Sequence, residues 1–118
     1  MVNGAVIMES LRPGVVFDDS QICLRRLSRF EVSNATPQQP DVWTLVEFSS
    51  ALQAGALASQ FAAALAGPGW YVNFDTDDQT FVVFPGRVFC YPHGDNQRRD
   101  EVMAYARTVG VPESQLDW

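Results

Sequence analysis

The only histidine of the chain, His93, is the side chain best suited to acid–base chemistry near neutral pH. It belongs to the run Pro92-His93-Gly94-Asp95, which has the composition of a loop, and a histidine close to a carboxylate can act as a general base. The sequence has no second histidine for a metal site and no G-x-S-x-G motif. The alternative is that His93 is a solvated loop residue or one that caps a helix.

A cluster of carboxylates offers a second kind of chemistry. Asp75, Asp77 and Asp78 fall together in a turn-like stretch, and oxygen-rich clusters can bind hard cations. The glycine and the distal glutamate of an EF-hand loop are missing, however, so a solvated turn is the simpler interpretation. We therefore predict no metal site and no cofactor.

The two cysteines and the absence of targeting signals bear on the compartment. Cys23 and Cys90 lack metal-ligand or C-x-x-C spacing and occur in apolar, strand-like runs, which predicts buried, inert thiols. Residues 1–14 lack the basic and long apolar regions of a signal peptide. The most apolar stretch, residues 61–65, is interrupted at residues 67–69 by glycine and proline, so no membrane span is predicted. These features indicate a cytoplasmic protein.

Charge and composition exclude several functions. The chain has 118 residues, of which 47% are hydrophobic, and this length suits one compact domain. Its net charge of −6 argues against nucleic acid as a partner and favours neutral or cationic ones. All 8 basic residues are arginines, so neither Schiff-base chemistry by a lysine nor a Walker-type phosphate lysine is possible.

The first half of the chain is predicted to form strands and then a helix. Residues 4–9 and 42–48 have strand composition, and residues 22–32 alternate between apolar and polar side chains. Arg26 interrupts this alternation, which indicates an edge strand, a bulge or an inward-facing charge. A turn is predicted at residues 18–20. Ser49 or Ser50 is the predicted N-cap of a helix that runs to about Leu65.

The second half is predicted to contain a three-stranded meander and a second helix. The strands cover residues 70–76, 80–84 and 87–91, and the helix covers about residues 97–109. The apolar tail, residues 111–118, is expected to dock on the domain. The resulting class is α+β: an antiparallel sheet of about five strands with two helices against it.

Large aromatic side chains crowd both parities of these strands. In a small sheet only one face can lie beneath the helices, so the other face should keep aromatic side chains interleaved with Glu47, Asp75 and Arg87. Such a face is typical of a surface that binds a partner or a second subunit. The alternative is that these rings close a two-sided core with the N-terminal strands.

Several blocks of the chain form a recognisable pattern: QPDVWTL (residues 39–45), GWY (69–71), TFVVFPGRVF (80–89), YP (91–92), GVPE (110–113) and QLDW (115–118). Together they resemble a family of small, mostly uncharacterised proteins from high-GC bacteria, and they span nearly the whole chain. Within this group the chain is most similar to the lysinoalanine-forming proteins of cinnamycin- and duramycin-type lanthipeptide pathways. Cys90 and His93 depart from the family pattern, in which we expect arginine.

The resemblance implies a cofactor-independent reaction in which a lysine amine of a modified peptide adds to a dehydroalanine of the same peptide. It also implies that an acidic group of the substrate can take the proton, which leaves the protein mainly to fold the peptide. Preorganisation of this kind can contribute on the order of 7–11 kcal/mol. The expected substrate-binding residues are Trp43, Glu47, Tyr71, Asp75, Arg87, Tyr91 and His93, with no side chain assigned as catalytic.

Two other functions remain open at this point. The chain could be a non-enzymatic module, of a regulatory or immunity type, that binds a protein or peptide through the aromatic face. It could also be a small-molecule enzyme that uses His93 with Asp95. For the peptide-cyclising enzyme a homodimer is expected, because one thin domain offers little concavity and because the chain has a surplus of aromatic side chains and an apolar tail.

Overall fold

The computed structural model describes residues 1–18 and 22–118, which form an α+β domain, as predicted. The sheet is antiparallel and has six strands instead of about five. The elements, in chain order, are β1 (Val2–Ile7), a 3-10 turn (Met8–Ser10), β2 (Ile22–Glu31), β3 (Val42–Ser50), α1 (Ala54–Ala64), β4 (Val72–Asp75), β5 (Gln79–Phe84), β6 (Arg87–Pro92), α2 (Asn96–Thr108) and a second 3-10 turn (Glu113–Gln115). The predicted turn at residues 18–20 falls largely outside the described residues.

The first strand of the chain lies in the middle of the sheet. The strand order is β2-β3-β1-β4-β5-β6, so β1 joins the pair β2–β3 to the meander β4–β5–β6. Gly4 of β1 stands between Phe48 and Phe74 on the neighbouring strands. A Cβ at Gly4 would lie 2.8 Å from the Asn73 carbonyl oxygen, so only glycine lets β1 and β4 approach this closely.

Strand β2 forms one edge of the sheet and contains a bulge. Its register with β3 shifts between Leu24 and Arg26, as the interrupted alternation at Arg26 suggested. The prediction that residues 22–32 keep one parity was therefore wrong. Leu24 and Leu27 both pair with residues that face α1, whereas Phe30 pairs with Trp43 on the opposite face.

Helix α1 packs on one face of the sheet, which we call the α1 face. Leu57, Ala58 and Phe61 of the helix are buried against Phe48 and Phe74 of the sheet. The predicted N-cap was wrong: Ser49 and Ser50 continue β3, and the side chain of Gln53 accepts a hydrogen bond of 3.1 Å from the backbone N–H of Ala56. Strand β3 continues through Ser49 and Ser50 because both residues pair with β1, so their backbone is already part of the sheet.

Helix α2 packs on the other face, which we call the groove face. Val102 and Ala106 of α2 form a second buried cluster with Val82, Phe84 and Tyr91. The expectation that one face of the sheet carries both helices was therefore wrong. The physical reason is that β5 is buried on both faces, so its side chains provide a core for a helix on either side.

Helix α2 covers only the β4–β5–β6 side of the groove face. The remaining part, over β1, β3 and the end of β2, is bordered by the tail formed by residues 111–118. The tail docks on the domain as expected, because Val111 is buried and Leu116 and Trp118 pack against the α2 cluster. Among the described residues, no helix combines the length and the apolar character needed to cross a bilayer.

Candidate binding groove on the uncovered sheet face

A concave site lies on the groove face beside the tail, with a volume of about 370 Å³. We call it the groove. Its floor comes from the end of β1 and the start of β3, and its rim comes from the end of β2, the residues that precede β4 and the tail. The principal lining side chains are Phe30, Trp43, Leu45, Trp70, Tyr71 and Asp117. The volume lies in the range typical of small-ligand sites.

One wall of the groove is aromatic. The ring centroids of Trp43 and Trp70 are 5.1 Å apart, and those of Phe30 and Trp43 are 6.5 Å apart. The indole N–H of Trp43 donates a hydrogen bond of 2.8 Å to the carbonyl oxygen of Pro40, which fixes the orientation of the ring. Since Trp70 is buried, this wall is held rigidly and presents π surface to the cavity.

The opposite wall is built from the tail and Tyr71. The Tyr71 hydroxyl lies 2.6 Å from Oδ1 of Asp117 and 2.5 Å from the Gln115 carbonyl oxygen, so two acceptors share one donor. Burial raises the pKa of Tyr71, and the hydrogen bond to Asp117 and its negative charge raise it further. Tyr71 therefore remains a neutral donor, and the Asp117 carboxylate is held at the cavity.

A pair of buried amides fastens the tail to the rest of the groove. Gln39 and Gln115 are each 8% exposed, and each donates to the other's amide oxygen. Gln115 also donates to the Asn34 carbonyl oxygen at 2.9 Å, and Gln39 donates to the Gly69 carbonyl oxygen at 3.2 Å. Because these buried amides are satisfied by one another and by the adjoining backbone, the tail has one defined position.

Beyond the groove, the uncovered face continues toward acidic side chains. Glu47 and Asn73 both pair with Ala5 of β1, and Asp75 follows two residues along β4. Oδ1 of Asp75 accepts a hydrogen bond of 2.9 Å from the Thr80 hydroxyl and lies 3.5 Å from Nε2 of His93. At about 3.3 Å per residue, the distance from Trp43 to Ser49 along β3 is roughly 20 Å. An extended peptide of about six residues matches this length.

The structure separates the predicted site residues into three groups. Trp43 and Tyr71 line the groove, while Glu47, Asp75 and His93 lie toward the other end of the uncovered face. The remaining two, Arg87 and Tyr91, lie on the part of the groove face that α2 covers.

Arg87 and Tyr91 contact the α2 side of the sheet. The guanidinium carbon of Arg87 lies 4.7 Å from the ring centroid of Phe89 and 5.1 Å from that of Tyr105, a cation–π arrangement. Tyr91 is buried within the α2 cluster, and burial raises its pKa. These two side chains therefore support α2 and do not line the groove.

His93 and Asp95 do not form a pair in the structure. The side chain of Asp95 is the N-cap of α2 and accepts a hydrogen bond of 3.1 Å from the backbone N–H of Arg98. His93 instead lies beside Asp75, and both side chains are about half exposed. The loop sequence suggested a dyad of His93 with Asp95, but in the structure Asp95 caps α2 and His93 lies beside Asp75 at the surface.

The two thiols have different environments. Cys23 is exposed on the edge strand β2, so the prediction of a buried thiol was wrong at this position. Strand β2 is an edge strand, so its side chains are accessible to solvent, and the bulge after Leu24 changes which of them face the core. Cys90 is half-buried, and burial, followed by the charge of Asp78, raises its pKa. In the described part of the chain, no group of three or more His, Cys, Asp or Glu side chains could hold a metal ion.

Four important residues of the groove were not among the predicted site residues: Phe30, Trp70, Gln115 and Asp117. Phe30 reaches the groove only because of the bulge in β2, and Asp117 and Gln115 reach it because the tail folds back. A signal for the tail was present in the apolar Leu116 and Trp118, which predicted docking. The partner of a docked tail is a long-range contact that local sequence patterns do not encode.

Comparison with known proteins adds no family assignment: no protein-family model matches the chain, and neither the curated proteins nor the solved structures include a match.

Proposed function

We propose that this protein binds a dehydrated, lysine-containing peptide on the uncovered sheet face and promotes formation of a lysinoalanine cross-link within it. The observation that supports the proposal is the open strip from the aromatic groove to Glu47 and Asp75. It combines π surface, amide groups and carboxylates over a length suited to a short peptide. The identity of the reaction comes from the family resemblance of the sequence.

The bond changes of this reaction are balanced without a cofactor. The lysine nitrogen forms a bond to Cβ of the dehydroalanine, and the carbon–carbon double bond becomes a single bond. The nitrogen loses one proton, and Cα gains one. The product has the same mass as the substrate, and nothing is oxidised or reduced. An acidic group of the peptide can carry the proton between these atoms.

The energetic task is positioning and deprotonation. A lysine amine has an ordinary pKa of about 10.4, so supplying the neutral form near pH 7 costs roughly 4–5 kcal/mol. Holding the amine near the alkene can recover more than this, on the order of 7–11 kcal/mol. The rigid groove supports this role because its walls are fixed by the Gln39–Gln115 pair and by Tyr71.

The negative charge of the chain supports capture of a cationic peptide. Fourteen acidic and eight basic residues give a net charge of −6, and Glu47, Asp75 and Asp117 all lie on or beside the uncovered face. A field of this sign raises the local concentration of a cationic ligand and speeds its association. Binding should accordingly weaken as salt is added.

The direct test incubates the protein with a dehydrated peptide that contains one lysine and one dehydroalanine. The expected product has unchanged mass, no longer adds a thiol at the alkene and no longer presents a free lysine amine. Glu47→Gln should reduce the rate, while Glu101→Gln, an equal charge change on the exposed side of α2, should not. Persistence of the thiol-reactive alkene, at a peptide concentration that saturates the protein, would contradict the enzymatic proposal.

The second candidate function is a non-enzymatic module that binds a peptide or protein through the same face. It is favoured by the groove lining, in which the described side chains include no thiol, histidine or lysine to act as a nucleophile. The same experiment separates the two functions. Saturable peptide binding with an unreacted alkene would support the binding module, and no binding at all would contradict both.

We also propose that the protein is a homodimer that associates through the edge strand β2. Leu24 is 59% exposed and Leu27 is 54% exposed on this strand, and an edge strand offers unpaired backbone groups to a second copy. The tail cannot serve this purpose as first expected, because its apolar side chains already pack on their own chain.

A further inference from the structure

We propose that the groove is a binding site for an organic cation, a primary or quaternary alkylammonium group, whose charge lies between the aromatic wall and the Asp117 carboxylate. This deepens the proposed function and rests on it for biological meaning, because the cation would belong to a side chain of the bound peptide. The binding chemistry itself depends only on the residues of the groove.

The aromatic wall provides the first half of the recognition. Trp43, Trp70 and Phe30 form a continuous set of rings with centroid distances of 5.1 and 6.5 Å. The faces of tryptophan rings attract cations more strongly than those of other aromatic side chains, and the attraction grows when water is excluded. Trp70 is only 7% exposed, so part of this wall is already desolvated.

Asp117 provides the second half. Its carboxylate lines the groove, and Oδ1 is oriented by the Tyr71 hydroxyl at 2.6 Å. No arginine is among the residues that line the groove in the described chain, so the negative charge of Asp117 faces the cavity without a cationic neighbour in the lining. An alkylammonium group would place a positive charge opposite the Asp117 carboxylate and pack its alkyl carbons against the faces of the aromatic rings.

The neutral polar groups of the groove fit this ligand as well. Asn34 and Asn73 line the cavity beside Gln115, and their amide oxygens can accept hydrogen bonds from a primary ammonium. An anion would meet the Asp117 carboxylate and the negative faces of the rings. A neutral alcohol of the same size would keep the apolar contact but lose the charge interaction. The chemistry of the groove thus ranks cation above alcohol above anion.

This arrangement also separates capture from reaction. A site that stabilises an ammonium ion raises its pKa, which opposes release of the proton that nucleophilic attack requires. The groove should therefore hold a cationic group of the peptide as an anchor, leaving the reacting amine elsewhere on the strip. A peptide whose only cationic group is the reacting lysine should therefore be cross-linked more slowly than one that carries a second cationic side chain.

The test uses small probes and the protein's own fluorescence. All three tryptophans of the chain belong to this region: Trp43 and Trp70 line the groove, and Trp118 packs on Tyr71 with ring centroids 5.0 Å apart. Titration with n-butylammonium and tetramethylammonium should change the emission with a Kd of about 1 mM. n-Pentanol should bind about tenfold more weakly, and butyrate should leave the emission unchanged.

Two variants localise the site, and a third is the control. Asp117→Asn should weaken the cations about tenfold without affecting n-pentanol, since the introduced amide oxygen can still accept from Tyr71. Trp43→Leu should weaken the cations about fivefold. Asp77→Asn makes the same charge change in the exposed β4–β5 turn and should leave cation affinity unchanged.

Each outcome decides a separate point. Equal binding of n-pentanol and the cations, or unchanged cation affinity in Asp117→Asn, would overturn the inference. Cation binding in a protein that fails to cross-link peptide would leave this site standing and reject the enzymatic function. Peptide cross-linking by a protein that binds neither cation would support the enzymatic function and reject this site.

Discussion

Gln39 and Gln115, which are 76 residues apart in the sequence, exchange side-chain amide hydrogen bonds of 3.4 and 3.0 Å in the interior of the protein. One residue precedes β3 and the other belongs to the tail, so this pair joins two segments that would otherwise be free to separate. The groove wall depends on this contact because the backbone carbonyl oxygen of Gln115 accepts a hydrogen bond from the Tyr71 hydroxyl.

We expect Gln115→Leu to lower the free energy of unfolding by about 1–3 kcal/mol, because it leaves the Gln39 amide and the Asn34 carbonyl oxygen without their buried partner. Urea denaturation followed by circular dichroism measures this change. The double variant Gln39→Leu/Gln115→Leu should recover part of the loss, since both polar groups are then absent. Strict additivity of the two single variants would contradict the coupling.

Glu9 should stabilise the fold in a pH-dependent way. Burial by itself raises the pKa of Glu9, but hydrogen bonds from the Thr44 backbone N–H (2.6 Å) and hydroxyl (2.9 Å), together with the charge of Arg29, outweigh it and leave the pKa below its ordinary value. A carboxylate whose pKa is lowered by folding contributes stability above its unfolded pKa and loses that contribution as the pH falls through its folded pKa.

We therefore expect Glu9→Gln to be less stable than the wild type by about 1 kcal/mol at pH 7. The difference should shrink as the pH falls below 4.5, the ordinary pKa of the group, and vanish once Glu9 is protonated. Urea denaturation at pH 7 and at pH 3 tests this, with Glu101→Gln as the exposed control. An unchanged difference at pH 3 would show that charge is not its cause.

Gly4 should be the least replaceable glycine of the sheet. Gly4→Ala places a Cβ against the Phe74 side chain and 2.8 Å from the Asn73 carbonyl oxygen, in the middle of the central strand. We expect a loss of about 1–3 kcal/mol or more, seen as a lower denaturation midpoint. Gly55→Ala in α1, where the nearest group is the flexible Gln53 side chain at 3.3 Å, should change stability by less than about 1 kcal/mol.

The proposed dimer makes a prediction about mass. Light scattering at micromolar concentration should give twice the chain mass of 13.1 kDa, and Leu27→Asp should give the monomer, because it places a charge in the proposed contact. Val88→Asp is the matched control on the opposite edge strand, β6, where Val88 is 38% exposed. A monomeric wild type would remove the dimer, and a monomer produced only by Val88→Asp would move the contact to β6.

The sequence predicted the elements better than it predicted their arrangement. Residues 80–84 and 87–91 were recognised as strands because Pro85-Gly86 marks a tight turn between apolar runs, and β5 and β6 follow these bounds within one residue. The cap of α1 was misplaced because Ser49 and Ser50 are good N-cap residues in isolation. Their pairing with Asn3 and Val2 of β1, which come 46 and 48 residues earlier in the chain, overrides that preference.

The candidate site was harder to predict than the fold. The parity argument correctly placed Trp43 and Tyr71 on one face, because alternation along a strand is a local property. The same argument could not show that α2 covers Tyr91 and leaves Trp43 open. Strand β5 is apolar on both faces, with Phe81, Val82, Val83 and Phe84 all buried, so its sequence does not indicate which face each helix covers. Asp117 was missed because its position depends on the fold of the tail.

The bulge in β2 makes the spacing of residues there more important than their chemical type. Because Leu24 and Leu27 share one side of the strand, Phe30 is delivered to the other, beside Trp43. Loss of Arg25, the residue between Leu24 and Arg26, would leave every later pair with β3 in place, whereas gain or loss of one codon between Arg26 and Phe30 would turn Phe30 away from its ring neighbours. Substitutions at these positions can thus accumulate over evolutionary time, whereas insertions and deletions there should be purged in any descendant that keeps the groove.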